Sequence, residues 1–120
     1  MGPPVIRFHP EAVSVDLFKL SAVFEPNEYF ELLAQINRAV REVASGRIVP
    51  QRDMEPPYKG WTRKKFHSNL HPPQNVSADM RLIYQFDDSG SILHILAVGY
   101  RLPGDPNDIY AATTSRKKSF

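Results

Sequence analysis

The sequence predicts an α+β domain in which a hairpin of two helices packs on a small, mainly antiparallel sheet, in the order β-α-α-β-β-β. Three observations lead there. Arg81–Phe86 and Ile92–Val98 are β-rich runs joined by the turn-forming tetrad Asp87-Asp88-Ser89-Gly90, the pattern of a β-hairpin. Tyr29, Leu32, Leu33, Ile36, Ala39, Val40 and Val43 recur at helical spacing. The chain has 120 residues, 42% of them apolar and 23% charged, which suits one hydrophobic core and leaves too little for two.

Taken in order, Val5–Phe8 is a short β-prone run ended by His9-Pro10, and Pro10 at a first helical position opens a helix through about Leu20. Asn27 is placed to cap the second helix, Glu28 and Glu31 lie in its first turn, and Gly46 ends it. The turn near Phe24-Glu25-Pro26 makes the two helices an antiparallel pair with an apolar face to offer a sheet. Arg47 to Gly60, with Pro50, Pro56 and Pro57, reads as a loop. A strand follows over Trp61–Phe66, in which Arg63 and Lys65 point one way while Thr62, Lys64 and Phe66 point the other. His67 to Ala78 is a second exposed loop before the hairpin. Residues 1–112 are expected to form one domain, and residues 113–120 a basic, flexible tail.

Composition excludes several classes of function. Cysteine is absent, so disulfide-framed secreted domains and cysteine-based zinc sites are out, and a reducing compartment suits the chain. The segment Met1–Arg7 lacks the apolar run of a signal peptide, and no stretch approaches the roughly 18 apolar residues of a membrane span, so a cytoplasmic location is expected. Net charge is only +2, but it is unevenly spread. Residues 1–57 hold six basic and eight acidic side chains, and residues 58–120 hold nine basic and five acidic ones, an asymmetry that suits a polyanion or a solvated surface.

The familiar catalytic signatures are missing. There is no Gly-x-Ser-x-Gly elbow and no phosphate-cradling glycine loop. His67 and His71 stand four apart in a loop without an intervening Glu and read as loop histidines rather than metal ligands. Asp87 and Asp88 serve the turn. What remains is a set of cations on predicted strands, Arg63, Lys65, Arg81 and Arg101, which can converge on one patch of sheet and hold phosphates. Trp61, Phe66, Tyr84, Tyr100 and Tyr110 are the aromatics near enough to stack bases, with core packing as the competing role.

Asp79-Met80-Arg81-Leu82-Ile83-Tyr84-Gln85-Phe86, followed by Ile95-Leu96-Ala97-Val98-Gly99-Tyr100-Arg101 and then Asp108-Ile109-Tyr110, resembles the C-terminal half of RelE-type toxins of bacterial toxin–antitoxin systems. The shared pattern is an Arg-leading strand, a second strand ending in Val-Gly-x-Arg, and a terminal acidic-aliphatic-Tyr. The layout of residues 5–66 is similar as well. This resemblance to the RelE/ParE superfamily implies a RelE-like fold and a metal-independent endoribonuclease that needs no cofactor and cuts mRNA on translating ribosomes through attack of a ribose 2′-oxygen on the adjacent phosphate. It implies Arg63, Lys65, Arg81, Arg101 and Tyr110 as catalytic residues, with Lys59, Lys64, Arg116 and Lys117 as further RNA-binding cations and His67 as the reserve general base. A one-residue slip in register would bring Lys64 in place of its neighbours. Clustered positive charge is expected to lower the pKa of a Tyr or Lys acting as base. The implied partners are a cognate antitoxin protein, mRNA and the ribosome.

Two other outcomes share the same fold. One is a ParE-like toxin that inhibits gyrase and lacks the RNase residues; the other is a non-toxic RNA-binding domain. Retention of Arg81, Arg101 and the Arg63/Lys65 strand favours the RNase.

Overall fold

Four strands make one sheet in the order β1-β4-β3-β2, in a computed structural model that describes residues 3–46 and 54–118. Strand β3 (Met80–Phe86) pairs antiparallel with β4 (Ile92–Tyr100), as the hairpin signal predicts, and with β2 (Thr62–Phe66) on its other side. The tetrad at the hairpin turn closes on Asp87, whose Oδ1 accepts the Ile92 N–H at 2.9 Å and whose Oδ2 accepts the Ser89 hydroxyl. Strand β1 (Val5–Phe8) is the exception to antiparallel order: it runs parallel to β4, Val5 opposite Ile92 and Phe8 opposite Ile95.

The alternation of side chains sorts the sheet into two faces. Met80, Leu82 and Tyr84 of β3 join Leu93, Ile95 and Val98 of β4 in the main core. Ile83, Leu96 and Ala97 belong to a smaller cluster on the other face, with Met54, Tyr58, Trp61 and Ile109. Between Ile83 and Tyr84 the register against β4 shifts: Ile83 faces Ala97 whereas Tyr84 faces Ile95, leaving Leu96 as the extra residue of a β-bulge.

The helix pair covers the main core. Helix α1 is π-helical over Ala12–Leu17 and continues as α-helix over Phe18–Val23, three residues beyond the expected end. Helix α2 (Pro26–Ala44) buries Leu32, Ile36, Ala39, Val40 and Val43, most of the predicted stripe. Its start differs from expectation by two residues. Glu25, not Asn27, is the cap: Glu25 and Glu28 form a reciprocal capping box, and Pro26 takes the first turn, where its missing N–H costs nothing. Gly46, at φ 69°, ends the helix as read from the sequence. The predicted loop from Arg47 to Gly60 falls partly outside the described residues; its described part, from Met54, folds back so that Met54 N–H bonds Trp61 C=O. A short helix, α3 (Ile109–Ala112), follows β4 and lies on the second face. Among the described residues, no helix is long and apolar enough to cross a membrane.

Candidate functional site

Register decides which cations share a face. Arg63 of β2 stands opposite Ile83 and Lys65 opposite Arg81, so all four occupy the face away from the α1–α2 pair. The alternation read from the sequence therefore places Arg63 and Lys65 as expected. Lys64 points the other way, to the helix side, where its Nζ lies 3.3 Å from Glu42 of α2.

Arg81 opens β3 and is only 9% exposed. Its Nη1 donates to the carbonyls of Ala78 and Met80, which fixes the guanidinium at the start of the strand. Across the ladder stands Gly99. A Cβ there would lie 2.8 Å from Ile109 Cδ1, so the missing side chain is what lets α3 settle onto the strand.

Arg101 follows β4. Its backbone N–H bonds Asp79 C=O, its Nη1 lies 2.8 Å from Asp108 Oδ1, and its guanidinium carbon sits 4.8 Å from the centre of the Tyr110 ring. Asp108 is buried and has several tasks at once. It caps α3 by accepting the Tyr110 and Ala111 N–H groups, it accepts Leu102 N–H, and it holds Arg101. Burial pushes its carboxyl up, but the hydrogen bond and charge of Arg101, together with backbone donors, outweigh that and hold it below the usual carboxylate range. The sequence marks Asp108 only as the residue before Ile109-Tyr110; an Asp ahead of a helical turn is the cap signal that points to its role.

Tyr110 is the meeting point of the cluster. Tyr58 steadies its backbone by donating a 2.6 Å hydrogen bond to the Tyr110 carbonyl, with the two rings 6.1 Å apart. Burial raises the phenol above its ordinary value, opposed by the positive charges of Arg81, Arg63 and Arg101 and by the close approach of Arg81. The expectation that clustered charge would lower a base at this position is thus reversed at Tyr110, because desolvation of a buried phenolate exceeds the help from three guanidiniums. Arg81 Nε and Tyr110 Oη are both buried without an aligned hydrogen-bond partner among the described residues. The two groups lie close to each other, and the Arg81 guanidinium acts on the Tyr110 phenol directly.

The other predicted residues scatter. Lys59 and Lys117 are exposed outside the cluster. His67 lies just past β2, beside Gln35, Arg38 and Glu42 in the cleft between α2 and the sheet edge. Arg116, expected on a flexible basic tail, is 9% exposed and bound to Asp16 by two 2.8 Å hydrogen bonds; Thr113 beside it is also buried. Its charge found a partner 100 residues away and is not offered to solvent. Of the aromatics, Trp61 and Tyr84 are core residues, and Tyr100 has one ring face taken by Phe24, stacked at 5.7 Å. Tyr110 remains half-buried at the edge of the cluster.

No known protein family and no curated protein matches the sequence. Among solved structures, the chain is similar to an arginine-substituted form of the Escherichia coli toxin RelE in the free state, with 13% identity, 86% of this chain and 88% of that one covered, and a TM-score of 0.47. It is also similar to a chain of the toxin–antitoxin complex RelBE2 from Mycobacterium tuberculosis, with 22% identity, 84% and 94% covered, and a TM-score of 0.46.

Proposed function

We propose that this protein is the toxin of a toxin–antitoxin pair, acting in the cytoplasm as a metal-independent endoribonuclease on the mRNA of translating ribosomes. The observation that carries the reading is the convergence of Arg63, Arg81 and Arg101 on the Tyr110 phenol, on the sheet face opposite the α1–α2 pair. The resemblance of residues 81–110 to RelE-type toxins supplies the chemistry.

In that reaction the 2′-oxygen attacks the adjacent phosphorus, its proton passing to a base, and the bond to the 5′-oxygen breaks as that oxygen takes a proton. A cyclic phosphate and a 5′-hydroxyl result. The guanidiniums of Arg81 and Arg101, with Arg63 and Lys65 beside them, bind the phosphate and offset the charge that builds on its oxygens. A phenol whose pKa is raised keeps its proton, so Tyr110 acts as donor, to the phosphate or to the leaving oxygen, and not as base. His67, the reserve base that the resemblance implies, lies in the cleft beside α2 and not with the arginines. Lys59 and Lys117 extend the cationic field to flanking nucleotides, and an antitoxin partner would cover the same face.

Inducible expression in bacteria with mapping of mRNA 5′ ends tests this. Growth arrest with new 5′ ends in translated mRNA is the expected result. Arrest with intact mRNA and broken DNA would replace it with a gyrase-directed toxin, and unimpaired growth would remove the toxin role.

A further inference from the structure

The bulge at Leu96 decides which face of the sheet Arg101 can reach. Leu93 and Ile95 point into the helix-side core, and in a regular strand residues 97, 99 and 101 would follow them. The extra residue reverses the alternation. Val98 joins the helix-side core, while Ala97 packs in the opposite cluster and Gly99 faces Ile109. Arg101 continues that second series and lies on the Tyr110 ring.

A bulge takes backbone groups out of the ladder, and here it sits where β1 has already ended, at Phe8 beside Ile95. Two side chains stand in for the missing strand. The Val98 N–H donates to Asp16 Oδ2 at 3.0 Å, and the Leu96 carbonyl accepts from Arg116 Nη1 at 3.1 Å. The same two side chains bind each other, Nη1 to Oδ2 and Nη2 to Oδ1, both at 2.8 Å. Asp16 comes from the π-helical stretch of α1, and both residues are buried. An apolar pair would fill this space without desolvating charge, but it would leave Leu96 C=O and Val98 N–H orphaned.

We propose that Asp16 and Arg116 are positioning residues: as a two-residue surrogate for a strand they hold the bulge at Leu96 and so deliver Arg101 to the phosphate-binding face. The inference rests on the reading of Arg101 as a phosphate-binding group.

The test is NMR on the full chain, following the exchange of the Val98 amide, the Nε–Hε signal of Arg101 and the binding of inorganic phosphate. Two variants are compared: Arg116→Met, and the double variant Asp16→Leu/Arg116→Leu, which leaves no buried charge unpaired and remains informative if the single variant does not fold. In the double variant, which removes the acceptor Asp16, Val98 exchange should rise about tenfold or more relative to the amides of β3, as expected for the loss of one hydrogen bond; in Arg116→Met, which keeps that acceptor but loosens it, the rise should be smaller. The Arg101 signal should move with it, and phosphate should bind more weakly. The proposal is overturned if Val98 exchanges freely in the unaltered protein, or if the Arg101 signal stays in place once Val98 is released, which would reduce the pair to a structural fastening. Absence of phosphate binding by the unaltered protein would sink the functional reading instead, and the Arg101 signal would still decide the positioning role.

Discussion

The two faces of the sheet use the same strands for opposite purposes. On the helix side, Leu32, Ile36 and Val40 of α2 meet Met80, Leu82, Leu93, Ile95 and Val98 in a continuous apolar layer. On the other side lies a smaller apolar cluster built from Tyr58, Trp61, Ile83, Leu96 and Ile109, and the same face carries the buried Arg81 with the partly or fully exposed Arg63, Lys65 and Arg101. Full coverage fixes the fold, and partial coverage leaves room for polar groups that are buried yet not saturated. On the proposed function, stability and chemistry would be separable by face, and substitutions can test that separation.

The largest effect is expected in the core. Leu82→Ala should cost about 2–5 kcal/mol in denaturant unfolding, with cleavage per folded molecule unchanged. Arg81→Ala should do the reverse, lowering RNA cleavage on the order of 10²–10³-fold while unfolding shifts far less than in Leu82→Ala. Equal losses of stability from both would erase the distinction between faces. Gly99→Ala probes the seam between them: a new methyl 2.8 Å from Ile109 Cδ1 should cost about 1–3 kcal/mol and reduce cleavage too, because the displaced element carries Tyr110.

A smaller effect concerns acid. Asp108 has a depressed native pKa, so its stabilisation is complete above the unfolded value of about 4 and is lost as pH falls through the native value. Unfolding free energy followed from pH 6 downward, on the order of the range where carboxylates titrate, should fall less steeply in Asp108→Asn than in the unaltered chain. An unchanged slope would show that Arg101 does not hold the carboxylate in solution. Least of all, Lys64→Ala removes a half-exposed pair with Glu42 on the helix side and should change stability by about 0–1 kcal/mol, leaving cleavage alone. Lys65→Ala, one residue further on the other face, should reduce cleavage.

Local signals in the sequence carried much of this layout. The Asp87–Gly90 turn marked the hairpin, the stripe from Tyr29 to Val43 marked α2, and alternation in Thr62–Phe66 put Arg63 and Lys65 on one side. The rest depended on distant partners. Ile92–Val98 is apolar except for His94, and Ile95–Val98 without a break, so no period betrays the bulge at Leu96. A basic residue in a polar tail reads as solvated unless Asp16 is known to wait beneath it, and Trp61 reads as a stacking surface unless its neighbours Met54 and Tyr58 are seen to cover it. The rise in the Tyr110 pKa has the same origin: the cations are visible in the sequence, whereas the burial that outweighs them is a property of the assembled face.

The parallel pairing of β1 with β4 also bears on how quickly the molecule forms. Val5 must find Ile92 across most of the chain, whereas β3 and β4 are joined by a short turn. Loop closure over such a span costs entropy before any contact rewards it, which slows folding and places that step after hairpin closure. The hairpin brings Arg81 beside Gly99 early, but the edge that carries the bulge is finished only when the first strand and Asp16 dock. A chain with its arginines already on neighbouring strands would remain without a working site until that last edge is sealed.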